Sequence, residues 1–249
     1  GEDCTETDLY GKAKRREKVI LAGKTYDAVW LLAKYISLTL QDFENIQYLT
    51  FTTPETDVDM AKMLKGIGQH IGVDKEIISA QDYKESFCQY MIFQPKELWQ
   101  YESALFYCDE DRIKAYMLRR LRVDASHGMN SFVTVDEVAN AQRKELEALY
   151  PIMNKEKSPD ESFKSMIENV FEKKVISSVY LTGEGFEKNW YPNSLRVLCN
   201  GRRAFMGNNL YSKGACYKSI RKCESNDDGP IYLDETKLTE RICLRMRVD

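Results

Sequence analysis

At 249 residues, with 43% hydrophobic and 30% charged side chains, the chain has the material for one large or two small cored domains. A formal net charge of −3 gives no global attraction to nucleic acid or to an anionic membrane, so neither is expected as a partner. Seven cysteines without a CxxC pair speak against a disulfide scaffold, and two histidines, His70 and His127, leave little for a zinc site or a histidine triad, so no metal site is expected.

The first residues are polar, and Gly1 stands where an initiator Met would, which suggests an excised fragment. The basic run Lys12–Lys18 reads as a solvated helix face. Residues 26–43 put Ala28, Leu32, Tyr35, Ile36, Thr39 and Phe43 on one helical face. IQYLTFTT, residues 46–53, is β-branched and aromatic and stops at Pro54, as a strand would. Thr56 and Asp59 occupy capping-box positions before a helix whose stripe is Met60, Met63, Leu64, Ile67 and Ile71, with Gly72 as its stop. A short strand is expected at 76–80, then a helix aligning Tyr83, Phe87, Tyr90 and Met91.

SALFYCDE and IKAYMLRRLRV flank an acidic turn and predict a hairpin. Residues 124–134 read as loop, and Thr134–Glu137 as a second capping box opening a helix that buries Val138, Leu146, Leu149 and Tyr150. Ser158-Pro159-Asp160-Glu161 is a third box, with Pro at the first helical position and Phe163, Met166, Ile167, Val170 and Phe171 behind it. VISSVYLTGEGF, residues 175–186, is a strand that stops on Gly183-Glu184-Gly185. A helix through 192–198, a Gly/Asn-rich loop over 201–214 and a helix over 214–222 follow. After a turn at Asp228-Gly229-Pro230, RICLRMRV at 241–248 alternates as a half-buried strand. No apolar run is long enough to cross a bilayer and no signal peptide opens the chain, which points to a cytoplasmic protein.

The glycine turn raises the functional question. A strand ending in glycines before a helix can let a ligand approach the backbone, and it can equally be a plain tight turn. The order of elements resembles the actin and DnaK-type chaperone ATPase superfamily. Three stretches carry the resemblance: YLTFTTPETDVDMAKMLKGIGQHIGVDKEIISAQDYKESFCQYMI, ALFYCDEDRIKAYML, and SFKSMIENVFEKKVISSVYLTGEGFEKNW with NSLRVLCNGRRAFMGNNLYSKGACYKSI after it. It implies an α/β, actin-like two-lobed ATPase fold of RNase H-like sheets flanked by helices, with the first lobe incomplete. Residues 1–100 would be the partial first lobe, 101–222 the second and 223–249 a C-terminal β extension.

The resemblance implies that Gly183, Glu184, Gly185 and Phe186 lie beneath an adenosine and that Asp109 and Asp111 belong to the second phosphate loop. The departures weaken both roles. Glu184 separates glycines that the superfamily keeps adjacent, and Cys108-Asp109-Glu110-Asp111-Arg112 offers carboxylates where the superfamily offers glycines. Nothing before residue 26 reads as the first phosphate hairpin. The resulting expectation is a degenerate, uncharacterised bacterial relative acting as a non-catalytic binding or assembly module with a protein partner. No cofactor is expected, ATP or ADP with Mg²⁺ binding at most weakly. The alternative is a fragment of an ATP-binding ATPase whose first phosphate loop lies outside this chain. Arg202 and Arg203 could hold an acidic group, or pair with nearby carboxylates on the surface.

Overall fold

A computed structural model describes residues 8–40, 46–109, 112–121, 131–142, 158–224 and 229–234. Two compact units emerge from it, Gly1–Ser86 with Ala215–Asp227, and Phe87–Gly214 with Asp228–Asp249. Among the described residues no helix is long and apolar enough to cross a membrane.

The first unit starts with α1 (Leu9–Lys14) and a hairpin of β1 (Lys18–Leu21) and β2 (Lys24–Asp27). Its turn, Ala22-Gly23, holds both residues at positive φ (49° and 74°), the geometry that two-residue hairpins favour. A hairpin therefore stands in the stretch where no first phosphate hairpin was expected, and its Ala22-Gly23 turn carries no Asp. Asp27 ends β2 and caps α2 (Ala28–Thr39) by accepting from Trp30 N at 3.0 Å, so the helix starts two residues later than its apolar pattern does. Ala28 and Ala33 are its buried residues, and Tyr35, expected on the buried face, is 60% exposed.

The parallel strands β3 (Leu49–Thr53) and β4 (Ile78–Asp82) pair directly. Residues 76 and 77, expected within the strand, instead belong to a 3₁₀ turn, Lys75–Ile77. Between the strands runs α3 (Val58–His70), which buries Met60, Met63, Leu64 and Ile67 in one cluster with the half-buried Phe51 and Ala80. Its cap is Asp57, accepting from Met60 N at 2.7 Å, while Thr56 Oγ1 bonds Thr53 Oγ1; the expected box on Thr56 is displaced by one residue. Gly72, at φ 94°, ends the helix as expected. The late segment belongs to this unit through Thr50 Oγ1–Ser219 Oγ (2.8 Å) and Lys218 Nζ–Glu85 Oε1 (2.8 Å).

The chain leaves the first unit within α4 (Tyr83–Ile92). In the second unit, β5 (Glu102–Cys108), β6 (Arg112–Leu121) and β7 (Phe132–Gln142) run antiparallel in succession. β8 (Ile176–Thr182) joins β5 in parallel, β9 (Arg203–Met206) joins β8 in parallel, and β10 (Ile231–Tyr232) joins β7 in parallel. The six-stranded mixed sheet has the order β10-β7-β6-β5-β8-β9. On one face lie α5 (Pro159–Phe171) and α6 (Pro192–Leu198), burying Phe163, Ile167 and Leu198 against Phe106, Met117 and Val179. On the other, Tyr180 meets Phe87 and Tyr90 edge-on and Phe205 in a stack at 5.1 Å. Helix α7 (Leu210–Cys223) carries the chain back to the first unit.

Two sequence expectations fail in this unit. Thr134–Glu137 does not open a helix. Val133 and Val135 alternate into the core, and all of Phe132–Gln142 is strand, because β-branched residues beside a ten-residue partner strand gain more from cross-strand pairing than from a helix cap. Leu146, Leu149 and Tyr150 lie outside the described residues. The expected 201–214 loop contains β9 and the start of α7, since Arg203–Met206 finds its hydrogen bonds on the open edge of β8. The 241–248 strand expectation lies outside the described residues, as do Asp228 and residues 124–130.

Helices α5 and α6 are tied by one carboxylate. Ser158 and Glu161 form the expected reciprocal box at the start of α5. Asp160, 5% exposed, accepts from Asn193 N and Ser194 N (2.8 Å each) and from Ser194 Oγ (2.7 Å). Burial alone would raise this carboxyl. The donors from Ser194 and Asn193 outweigh it and hold the group below its ordinary value of 3.8. A depressed folded pKa stabilises the fold above the unfolded value, and that contribution fades as pH falls through the folded one. Asp160→Asn, which turns an amide NH₂ toward backbone donors, is expected to cost roughly 1–3 kcal/mol in urea unfolding at neutral pH. The gap to wild type should narrow as pH drops below 3.8.

Candidate functional site

Strands β5 and β8 end side by side, and this brings Asp109 together with Gly183, Glu184, Gly185 and Phe186. Asp111 lies outside the described residues. After Thr182 the chain turns through Gly183 at φ 102° into a single 3₁₀ turn, Glu184–Phe186. Only glycine takes that φ without strain.

The glycines also answer to a steric demand. A Cβ on Gly183 would strike the Cys108 carbonyl oxygen. One on Gly185 would strike Cys108 Sγ and come within 2.6 Å of the Asp109 carbonyl oxygen. The space above both glycines is therefore filled by the end of β5. Phe186, expected near a base, is 2% exposed and packs among Phe163, Trp190 and Tyr191 at ring distances of 5.2–6.2 Å. Glu184 faces solvent.

Hydrogen bonds close the turn further. Gly183 N donates to Asn208 Oδ1 (3.0 Å), and Asn208 Nδ2 donates to Glu187 Oε1 (2.8 Å). Trp190 Nε1 donates to the Gly185 carbonyl (2.7 Å), and the Tyr191 hydroxyl, its pKa pushed up by burial, to the Phe186 carbonyl (3.3 Å). Phe186 N and Glu187 N return to Gly183 O and Glu184 O. In the β5–β6 turn, Asp109 N bonds Arg112 O (3.0 Å) and Asp109 Oδ1 accepts from Arg112 N (2.6 Å). Asn208, Trp190 and Tyr191 were invisible as site residues in the sequence; Asn208 showed only as a turn former.

These residues do not fit a phosphate cradle. Such a cradle needs several backbone N–H groups aimed outward and anionic side chains kept away. Here Asp109 N, Gly183 N, Phe186 N and Glu187 N are all engaged within the chain, and Asp109 and Glu184 add negative charge. Among the described residues no group of three or more His, Cys, Asp or Glu side chains is placed to hold a metal ion.

Over residues 1–235 the chain matches the family described as Family of unknown function (DUF5716) C-terminal, and it belongs to that family. No curated protein matches it.

Gly183→Ala and Gly185→Ala separate the two demands on this turn. Each is expected to lower stability by about 2 kcal/mol or more, from overpacking and, at Gly183, positive-φ strain. Adding Cys108→Ala removes Sγ and should return part of the loss for Gly185→Ala, while leaving Gly183→Ala, whose clash is with backbone, unrelieved. Urea denaturation of the double variants checks this.

Proposed function

We propose, with membership of this family as the premise, that the chain is a degenerate relative of the actin-like ATPases and works as a non-catalytic module for binding or assembly with a protein partner. The observation that carries the reading is the order and direction of the strands in the second unit. Three antiparallel strands are followed by a helix, a strand inserted parallel beside the first, a second helix and a further parallel strand. This order supports the reading because it resembles the RNase H-like arrangement that an actin-like lobe would have. The glycine turn and the β5–β6 turn then correspond to the superfamily's adenosine strand and second phosphate loop, and the first unit to an incomplete first lobe.

The binding reading is preferred to a catalytic one for a physical reason. Phosphoryl transfer relies on positioning and charge stabilisation of the phosphates, with Mg²⁺. At this turn Asp109 N, Gly183 N, Phe186 N and Glu187 N are spent on the chain itself, the glycine face is covered by Cys108, and the nearest carboxylates repel phosphate. A second reading, an ATPase whose first phosphate loop lies outside this chain, is kept alive because the family is described as a C-terminal part.

Calorimetry with Mg-ATP and Mg-ADP, alongside a phosphate-release assay, tests the proposal. The expected result is no binding heat at millimolar nucleotide and no release above buffer. Saturable binding tighter than millimolar, or turnover that disappears in Asp109→Ala, would overturn it in favour of the ATPase reading.

A further inference from the structure

The two ends of the six-stranded sheet differ in chemistry. Gly183 and Asp109 close the end where β5 and β8 finish. At the end where these strands begin, some seven residues and therefore roughly 20 Å away along β5, a cleft of about 470 Å³ opens. Its cationic walls are Arg119 and Arg120 from β6 and Lys173 and Lys174 from the link between α5 and β8. One carboxylate, Glu102, lines it.

Those charges are not equally available. Arg119 is committed, donating from Nε to Glu102 Oε1 (2.9 Å) and from Nη1 to Asp136 Oδ2 (2.8 Å). One oxygen of the cleft's own carboxylate is thus engaged by a cation, while Glu102 Oε2 is buried without a hydrogen-bond partner among the described residues. The Arg120 guanidinium carbon lies over the Trp99 ring, 5.5 Å from its centroid, a cation–π contact that uses none of the guanidinium N–H donors. Lys174 Nζ is pinned on the Val170 carbonyl (2.6 Å) at the end of α5, where helix carbonyls favour a cation. Lys173, held at φ 58°, projects an 89% exposed side chain whose contact with Glu172 (3.4 Å) is a solvated pair worth little.

Large apolar side chains stand among these cations: Tyr101 is 51%, Leu121 44% and Val175 63% exposed. The rim is held in place by backbone, Tyr101 N donating to Ser177 Oγ (2.8 Å) and Glu102 N to the Val175 carbonyl (3.2 Å). A preformed cleft of this size seats a few residues of extended chain at small ordering cost.

We propose that this cleft docks a partner polypeptide through a segment in which Asp or Glu alternates with Leu or Phe, the carboxylates meeting Arg120, Lys173 and Lys174 and the apolar side chains covering Tyr101, Leu121 and Val175. The apolar rim separates this ligand from free phosphate, which gains nothing from such contacts. The lack of a ladder of exposed aromatics among the described residues of the cleft, together with a net charge of −3, separates it from single-stranded nucleic acid. The inference rests on the reading of the chain as a binding module and gives that module a partner chemistry.

The test is fluorescence anisotropy of a labelled peptide alternating Glu with Leu, on the full chain, against the Gln–Leu counterpart. Saturable binding is expected for the acidic peptide only. It should weaken as salt rises and fall about tenfold or more in Lys173→Glu and in Arg120→Gln. Lys173 is solvent-facing, so its charge reversal leaves the fold intact, as circular dichroism would verify. Absence of binding, binding that neither variant alters, equal binding of the Gln–Leu peptide, or displacement by inorganic phosphate or an oligodeoxythymidine would each overturn the proposal. Nucleotide calorimetry on the same sample reports separately on the non-catalytic reading, so that reading can fail while peptide docking stands.

Discussion

The parallel pairing of β5 with β8, Ser103 against Ser178 through Tyr107 against Thr182, is the contact on which the second unit is built. It joins segments more than seventy residues apart and makes β5 a central strand, hydrogen-bonded to β6 on its other side. Ala104, Leu105, Phe106 and Cys108 are each 0% exposed, so β5 is buried on both faces and reads as a continuous apolar run. Burial of a large side chain such as Leu105 or Phe106 contributes roughly 1.5–3 kcal/mol, enough to offset the loop closures that the pairing demands. Without it β8 would have no sheet to join, β9 no edge to join in turn, and α5 and α6 no shared apolar face.

The same pairing decides the chemistry at its two ends. Where the strands finish, Gly183 and Gly185 let the backbones approach until Cys108 fills the space above them. The glycines serve chain-to-chain contact there, with Asn208 and Trp190 fastening the turn from the side. Where the strands begin, no such closure occurs among the described residues, and cations from two elements face an apolar rim. One sheet therefore presents a sealed, acid-flanked end and an open, basic one.

Much of this was legible from local chemistry. The Ser158 box with Pro159, the stripe from Phe163 to Val170, the stop at Gly72, and the β5–β6 hairpin each rest on residues within a few positions of one another, and each forms as expected. The failures share a different cause. Residues 132–142 and 203–206 become strands because a neighbour far along the chain supplies their hydrogen bonds, and no local pattern encodes that neighbour. Asp57 displaced Thr56 as a cap because two adjacent candidates differ by one residue of backbone geometry. The glycine turn was legible as a turn. Its steric purpose was not, since Cys108 and Asn208 approach it from positions 75 and 25 residues away. The basic cleft is assembled from β5, β6 and the α5–β8 link, so no local pattern brings its cations together in the sequence.

The first unit is discontinuous in sequence, and that bears on how the protein is made. Its closing contacts, Ser219 on Thr50 and Lys218 on Glu85, come from residues synthesised only after the whole of Phe87–Gly214. Chains emerge from the ribosome amino-terminus first, and domains tend to fold as units as they appear. Here the earliest segment carries its own apolar cluster but receives Ser219 and Lys218 last. Until Lys218 arrives, Glu85, a residue 7% exposed in the finished fold, lacks the ammonium that accompanies it there. The first unit thus gains these two side-chain ties only after Phe87–Gly214 of the second has been translated.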